Sequence, residues 1–258
     1  MSLVYLTKGI EFAAAHRYHR EEWDEAKNRE VFGACYNAPG HGHNYFLEVT
    51  VTGHVDPANG MVVNLYDLKI VLKEVLEEFD HKHLNLDTPY FKDTVPTMEN
   101  IARVLWRRLE RHRIIGTLHK LQLAEDEDLR ATLTAVQGLE RASVSRRYGA
   151  RSEVPGPYSR SGRDGRGYDD ELWVTVEGPI DPTTGMVIDL RHLDRIVTDH
   201  VLPFLPNAAI GLRRRERGGT GEELTRAVWD LILPHLHGAR LEQVRLIESR
   251  DLAYEYAG

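Results

Sequence analysis

The sequence predicts an α+β fold made of two copies of one unit. In the first half the patterning reads strand, strand, helix, helix, strand, strand, and three stretches of that half return in the same order in the second. Ile180-Asp181-Pro182-Thr183-Thr184-Gly185-Met186-Val187-Ile188-Asp189-Leu190 echoes Val55-Asp56-Pro57-Ala58-Asn59-Gly60-Met61-Val62-Val63-Asn64-Leu65. Thr220-Gly221-Glu222, with Leu224, Ala227, Val228 and Trp229 behind it, echoes Thr97-Met98-Glu99 and the pattern that follows. Residues 246–252 echo 123–129. The expected boundary falls near residue 137, which makes 1–136 the first unit and 137–258 the second.

Taken in order, residues 4–16 read as a strand and 17–29 as a charged, mobile connection. The β-branched and aromatic run 44–53 predicts the second strand, and 55–60, punctuated by Pro57 and Gly60, a turn. Leu68, Val71, Leu72, Val75 and Leu76 make one apolar stripe of a helix over 65–79, ended by Asp80-His81-Lys82-His83. Thr97 is placed to cap a second helix carrying Ile101, Val104, Leu105 and Leu109, with Glu99 in its first turn. Strands are expected at 118–125 and 129–135, and the Gly-, Ser- and Arg-rich 149–167 as a long flexible connection within the second copy.

Bulk properties narrow the function. The chain has 258 residues, 41% hydrophobic and 28% charged, the composition of a soluble globular protein. A net charge of −7 and a pI near 6.0 argue against a nucleic-acid binder, whose face needs clustered Lys and Arg. No apolar run approaches the roughly 20 residues of a membrane span, and the first residues lack the features of a signal peptide. One cysteine permits no internal disulfide, so a cytoplasmic location is expected.

The stretch that carries chemistry is Cys35-Tyr36-Asn37-Ala38-Pro39-Gly40-His41-Gly42-His43-Asn44-Tyr45, read with Phe12-Ala13-Ala14-Ala15-His16. His41 and His43 lead into a strand, where residues two apart point to one side. His16 ends a run that could pair beside it. Three imidazoles converging from two strands make a tetrahedral site with one open position, the usual form of a catalytic zinc site. Gly40 and Gly42 let the backbone come close to whatever is bound. On spacing alone, ordinary structural histidines remain an equal reading.

Phe12-x-Ala-Ala-His16, then Asn28-Arg29-Glu30-Val31-Phe32-Gly33-Ala34-Cys35, then Cys-x5-His-Gly-His-Asn-Tyr, resembles the 6-pyruvoyl-tetrahydropterin synthase family, which includes the 6-carboxy-tetrahydropterin synthases of the queuosine (deazaguanine) pathway. The resemblance implies a tandem tunnelling (T-) fold. Each unit would be a four-stranded antiparallel sheet with two helices on one face, and units would join edge to edge into a barrel that removes exposed edges. It implies a homo-oligomer, a trimer of tandem chains or another closed ring. It implies Zn²⁺ on His16, His41 and His43, with 7,8-dihydroneopterin triphosphate as substrate. Cys35 would be the base, its thiol pKa lowered by metal and His, and Asp80 and His81 a proton relay beside it. Glu125 would anchor the pterin through paired contacts to its amino-pyrimidine edge, and Thr97 and Glu99 would line the same pocket. Without the resemblance, Cys35 reads as an inert buried thiol, His81 as a charge at a helix C-terminus and Glu99 as a first-turn residue.

Aligned on the repeat, the second copy lacks this chemistry. His41 falls on Arg166, His43 on Tyr168, His16 on about Ser145, Cys35 on about Arg160, and Asp80 and His81 on Leu205 and Pro206, while Glu222 and Glu248 keep their carboxylates. One catalytic centre per chain and a structural second unit are expected, and that second unit is a candidate for one wall of the pocket. The basic run 213–217 reads as a solvated loop, with steering of a triphosphate as the alternative. Five residues between Cys35 and His41 resemble the pyruvoyl-forming enzymes, where three are usual in carboxy-forming ones. The alternatives are 6-carboxy-tetrahydropterin formation, with release of acetaldehyde and triphosphate, and a non-catalytic pterin- or purine-binding scaffold.

Overall fold

The computed structural model describes residues 3–136, 139–150, 170–205, 220–249 and 251–258. The chain divides into two compact units, Met1–Val144 with Pro179–Val187, and Ser145–Gly178 with Ile188–Gly258.

In the first unit, strands β1 (Val4–His16) and β2 (His41–Gly53) pair antiparallel along their whole length, from Val4 opposite Gly53 to His16 opposite His41. Lys82–His83 forms a two-residue strand, β3, parallel to β1 beside Ala14 and Ala15. β4 (Thr117–Ala124) pairs with β2, and β5 (Leu129–Val136) pairs with β4, both antiparallel. The order is β3-β1-β2-β4-β5, one strand more than the expected four, and within this one chain the sheet is not closed.

Four helices accompany this sheet: α1 (Glu25–Phe32), α2 (Leu65–Leu76), the single turn α3 (Leu84–Asp87) and α4 (Met98–Leu109). α4 starts where Thr97 accepts a hydrogen bond from Asn100 N, the expected cap. Its Ile101 and Leu105, with Leu68 and Leu72 of α2, are fully buried with Leu47, Val49 and Val51 of β2 and Leu121 and Leu123 of β4. Each such side chain contributes roughly 1.5–3 kcal/mol, so this apolar layer fixes which face of the sheet the helices cover.

The connection after β1 is not a mobile loop. Asp24 caps α1, accepting from Lys27 N at 2.8 Å. Asn28, fully buried, donates to the carbonyls of Arg20, Trp23 and Asp24 and accepts from Arg20 N. α2 ends at Leu76 rather than Phe79, because Phe79 N and Asp80 N both turn back to Leu76 O.

β6 (Leu139–Ala150) carries the chain from the first unit into the second. There β7 (Asp170–Gly178), β8 (Arg240–Ser249) and β9 (Leu252–Tyr256) form an antiparallel run. Helix α5 (Leu190–Ile196) continues into a π-helical turn at Val197–Val201, and α6 (Gly221–Ile232) opens with a capping box between Thr220 and Glu223. The repeat is visible in detail. The β2–β4 register shifts between Thr50 and Val51, and the β7–β8 register between Thr175 and Val176. Thr7 Oγ1 meets Thr50 Oγ1 at 2.8 Å, and Ser145 Oγ meets Thr175 Oγ1 at 3.0 Å.

Ser145 therefore occupies the place of Thr7, not of His16, whose counterpart lies beyond Ala150 and outside the described residues. The alignment slipped because nothing in the sequence marks where the first strand of the second copy begins. Leu205, aligned with Asp80, is buried. Arg160, Arg166, Tyr168, Pro206 and the basic run 213–217 lie outside the described residues. Among the described residues no helix is long and apolar enough to cross a membrane.

Candidate metal centre and active site

Strand register assembles the site. His16 and His41 are direct partners at the end of the β1–β2 ladder, and His43 follows two residues on, opposite Ala14. Opposed residues on antiparallel strands share a face, so all three imidazoles project together. On the other side of β2, continuing the β2–β4 register past Phe46 and Ala124 brings Glu125 alongside Tyr45. The ligand atoms of His16, His41, His43 and Glu125 lie within 4.8 Å of one another.

These residues fit a metal ion. Two nitrogens bound to one tetrahedral zinc at roughly 2.0–2.1 Å stand about 3.3–3.4 Å apart. His16 Nε2 and His41 Nε2 are 3.3 Å apart. His16 Nδ1 lies 3.1 Å from Pro96 O and 3.1 Å from the Tyr45 hydroxyl. Donation from Nδ1 to the carbonyl leaves the Nε2 lone pair free, the outer support that metal-bound imidazoles usually have. His43 Nε2 is 2.7 Å from Glu125 Oε1, yet it is buried without a hydrogen-bond partner, so the contact is close and badly aligned. A buried nitrogen in that condition calls for another ligand.

Burial pushes the His16 pKa down to about 4, partly offset by Glu125 and reinforced by His41 and His43. Burial also lowers His41, with His43 adding to it. Both rings are thus held neutral, as ligands must be. Burial alone would raise Glu125, but the three histidines outweigh it and keep its carboxyl below the usual range.

Cys35 sits in a short 3₁₀ turn (Gly33–Tyr36) tied back to the end of β1 by Tyr18 N donating to Cys35 O at 2.9 Å. It packs with Tyr18, Phe32 and Val95. Burial, then the Glu125 carboxylate, push its thiol up to about 11. The expected fall depends on a bound cation, whose charge does not enter this balance. The opposing influence, a dication among the histidines, is the one that stabilises a thiolate. Thr97 and Glu99 at the start of α4 are buried, and burial raises Glu99 to about 7 against the hydrogen bonds it accepts. Burial, and then the charges of Glu125, Cys35, Tyr45 and Glu99, push the buried Tyr18 hydroxyl well above its usual range.

The family model of 6-pyruvoyl tetrahydropterin synthase matches residues 5–135 and again 149–258. The chain belongs to this family. A 6-pyruvoyl tetrahydrobiopterin synthase of Pongo abelii is 43% identical over 124 residues, 48% of this chain and 86% of that protein. A putative 6-carboxy-5,6,7,8-tetrahydropterin synthase of Archaeoglobus fulgidus is 35% identical over 104 residues, 38% of this chain and 84% of that one. The structure of the Caenorhabditis elegans 6-pyruvoyl tetrahydropterin synthase superposes with a TM-score of 0.50 at 37% identity, covering 53% of this chain and 98% of that chain.

Of the residues that the family resemblance assigns to the site, Asp80 and His81 stand apart. Asp80 Oδ1 accepts from Ala13 N at 2.8 Å, which with the adjacent His81 holds its carboxyl below the usual range. His81 has a left-handed backbone (φ 57°), its N donates to Ala13 O, and its Nδ1 meets Asp80 Oδ2 at 2.9 Å. Its side chain is 82% exposed. Among the described residues of one chain no hydrogen bond or ion pair joins either residue to Cys35, and the resemblance puts the family's pocket at an interface between subunits. β3 follows this pair directly, beside Ala14 and Ala15 of β1, and His81 shares with His43 a cavity of about 420 Å³.

Gly40 lies against the chain itself. With φ 121°, a Cβ there would lie 2.4 Å from His16 O, so the close approach is to the chain's own backbone. Sequence reasoning passed over Tyr45 and Tyr18. The signal for Tyr45 was available, since it stands two residues after His43 on the same strand face.

Proposed function

We propose that this family member converts 7,8-dihydroneopterin triphosphate to 6-pyruvoyl-tetrahydropterin with elimination of triphosphate, using zinc held by His16, His41 and His43. The observation that carries the reading is the convergence of His16, His41, His43 and Glu125, with burial holding His16 and His41 neutral and the half-buried Cys35 thiol packed against the neighbouring Tyr18. Bound zinc supplies Lewis-acid stabilisation of negative charge developing on the substrate's side-chain oxygens. Glu125, kept ionised by its histidine neighbours, accepts paired hydrogen bonds from the amino-pyrimidine edge and so orients the ring. Thr97 and Glu99 line the same pocket. Cys35 Sγ takes the proton from the side-chain carbon, for which it must first lose its own. Asp80 fixes the His81 ring through Nδ1 and leaves Nε2 outward as a proton carrier. Assembly into a closed ring, a trimer of tandem chains or another size, completes the proposal.

The test is product analysis after incubating zinc-loaded protein with dihydroneopterin triphosphate. Release of triphosphate with 6-pyruvoyl-tetrahydropterin supports the reading. Acetaldehyde among the products shifts it to the 6-carboxy-forming reaction named for the Archaeoglobus relative. Pterin binding without triphosphate release leaves a scaffold.

A further inference from the structure

The turn Pro179–Val187 comes from the second matched stretch but belongs to the compact unit that holds the histidine cluster. It makes four contacts there. Thr97 Oγ1 donates to Gly185 O at 2.5 Å, and Val187 N donates to Glu99 Oε1 at 2.9 Å. Arg20 donates from its guanidinium to Thr183 O at 2.9 Å. Met186 packs on the Tyr18, Phe32 and Val95 cluster that also holds Cys35.

The turn is self-built. Asp181 N donates to Met186 O and Gly185 N to Asp181 O, just as Asp56 N donates to Met61 O and Gly60 N to Asp56 O in the first copy. What differs is where the two turns sit. A Cβ on Gly60 would meet nothing within 4 Å, whereas one on Gly185 would lie 2.5 Å from Asn100 Nδ2 and 3.1 Å from Thr97 Oγ1. Gly185 also has φ 79°, which an added side chain would strain.

We infer that this turn is a positioning element of the site: the Gly185 carbonyl and the Val187 amide fix Thr97 and Glu99, and through them the affinity for the pterin. The inference rests on the functional reading above and adds to it a task for the otherwise degenerate second copy. Backbone groups do the work, so the turn keeps it although the second copy has lost its imidazoles. The Val187 amide adds a donor from the turn to those that hold the buried Glu99 carboxyl at the start of α4.

The experiment uses the full chain loaded with zinc, with neopterin as the probe, followed by fluorescence titration beside a measurement of bound zinc. Gly185→Ala and Met186→Ala should each raise the neopterin dissociation constant roughly tenfold, the worth of a displaced hydrogen bond to a carboxylate, with zinc content unchanged. Met186→Leu should restore binding. In a Glu99→Ala background the same two substitutions should add little, because residues acting through one another are not additive. Wild-type neopterin affinity in both variants, or losses that add in full to that of Glu99→Ala, overturns the inference. If Gly185→Ala loses its zinc along with its fold, Met186→Ala and its Leu rescue decide. Absence of neopterin binding by the wild-type chain overturns the functional reading and this inference together.

Discussion

His16 and His41 face each other as direct partners across β1 and β2, with their Nε2 atoms 3.3 Å apart. The pair is set by backbone ladders, so the cluster is rigid before any ion arrives and little ordering is needed to bind one. His41→Ala should lower zinc affinity by more than the roughly 10–100-fold that losing an outer-sphere partner costs. His41 is partly exposed at a strand end, so the fold should persist. Competition against a chromophoric chelator measures this, and an unchanged zinc affinity would remove the metal centre.

In the proposed mechanism Cys35 acts separately from the metal ligands, and its substitution should separate the two roles. Cys35→Ala should retain zinc and neopterin binding and lose turnover by roughly 10²–10⁴-fold, the range of a missing general base. Steady-state kinetics beside metal analysis reads both. Full activity in that variant takes the thiol out of the mechanism.

How much was legible beforehand depends on the range of the interaction. The histidine triad was readable because period-two alternation and one strand pairing suffice to converge it. The cap at Thr97 was readable because its signal is local. The β3 strand was not, since a two-residue pairing has no pattern of its own. The contact of Val187 with Glu99 joins residues far apart in sequence through a backbone amide, which leaves no mark on side-chain identity. Nor did α1 announce itself: its charged surface resembles a solvated connection, and only Asn28, buried and four times hydrogen-bonded, shows otherwise.

That residue gives a stability prediction. Asn28→Ala removes the donor to three carbonyls and the acceptor of Arg20 N, stranding groups in a part-buried setting. The expected cost is about 2–4 kcal/mol, since each stranded buried group costs about 1–3 kcal/mol and neighbouring losses overlap. Urea unfolding checks it. A loss under about 0.5 kcal/mol, typical of a surface change, would return the segment to a loop.

Glu99 links the turn at Val187 to pH. Burial, opposed by the Val187 amide and the Thr97 side chain, raises its carboxyl from 4.5 to about 7. Between those values the folded chain holds a proton that the unfolded chain has released. Stability therefore falls as pH rises through this window, by analogy with any group whose folded pKa is the higher one. The contribution is present in full below about pH 4.5 and is gone above about pH 7. A shift of this size corresponds to about 3 kcal/mol at most. Glu99→Gln keeps an oxygen to accept from Val187 N but carries no titrating proton. The metal-free wild type should thus lose up to about 3 kcal/mol relative to Glu99→Gln between pH 5 and pH 8 in parallel urea melts. Parallel pH profiles for the two chains would mean that the carboxyl is hydrated in solution and that the turn does not seal it.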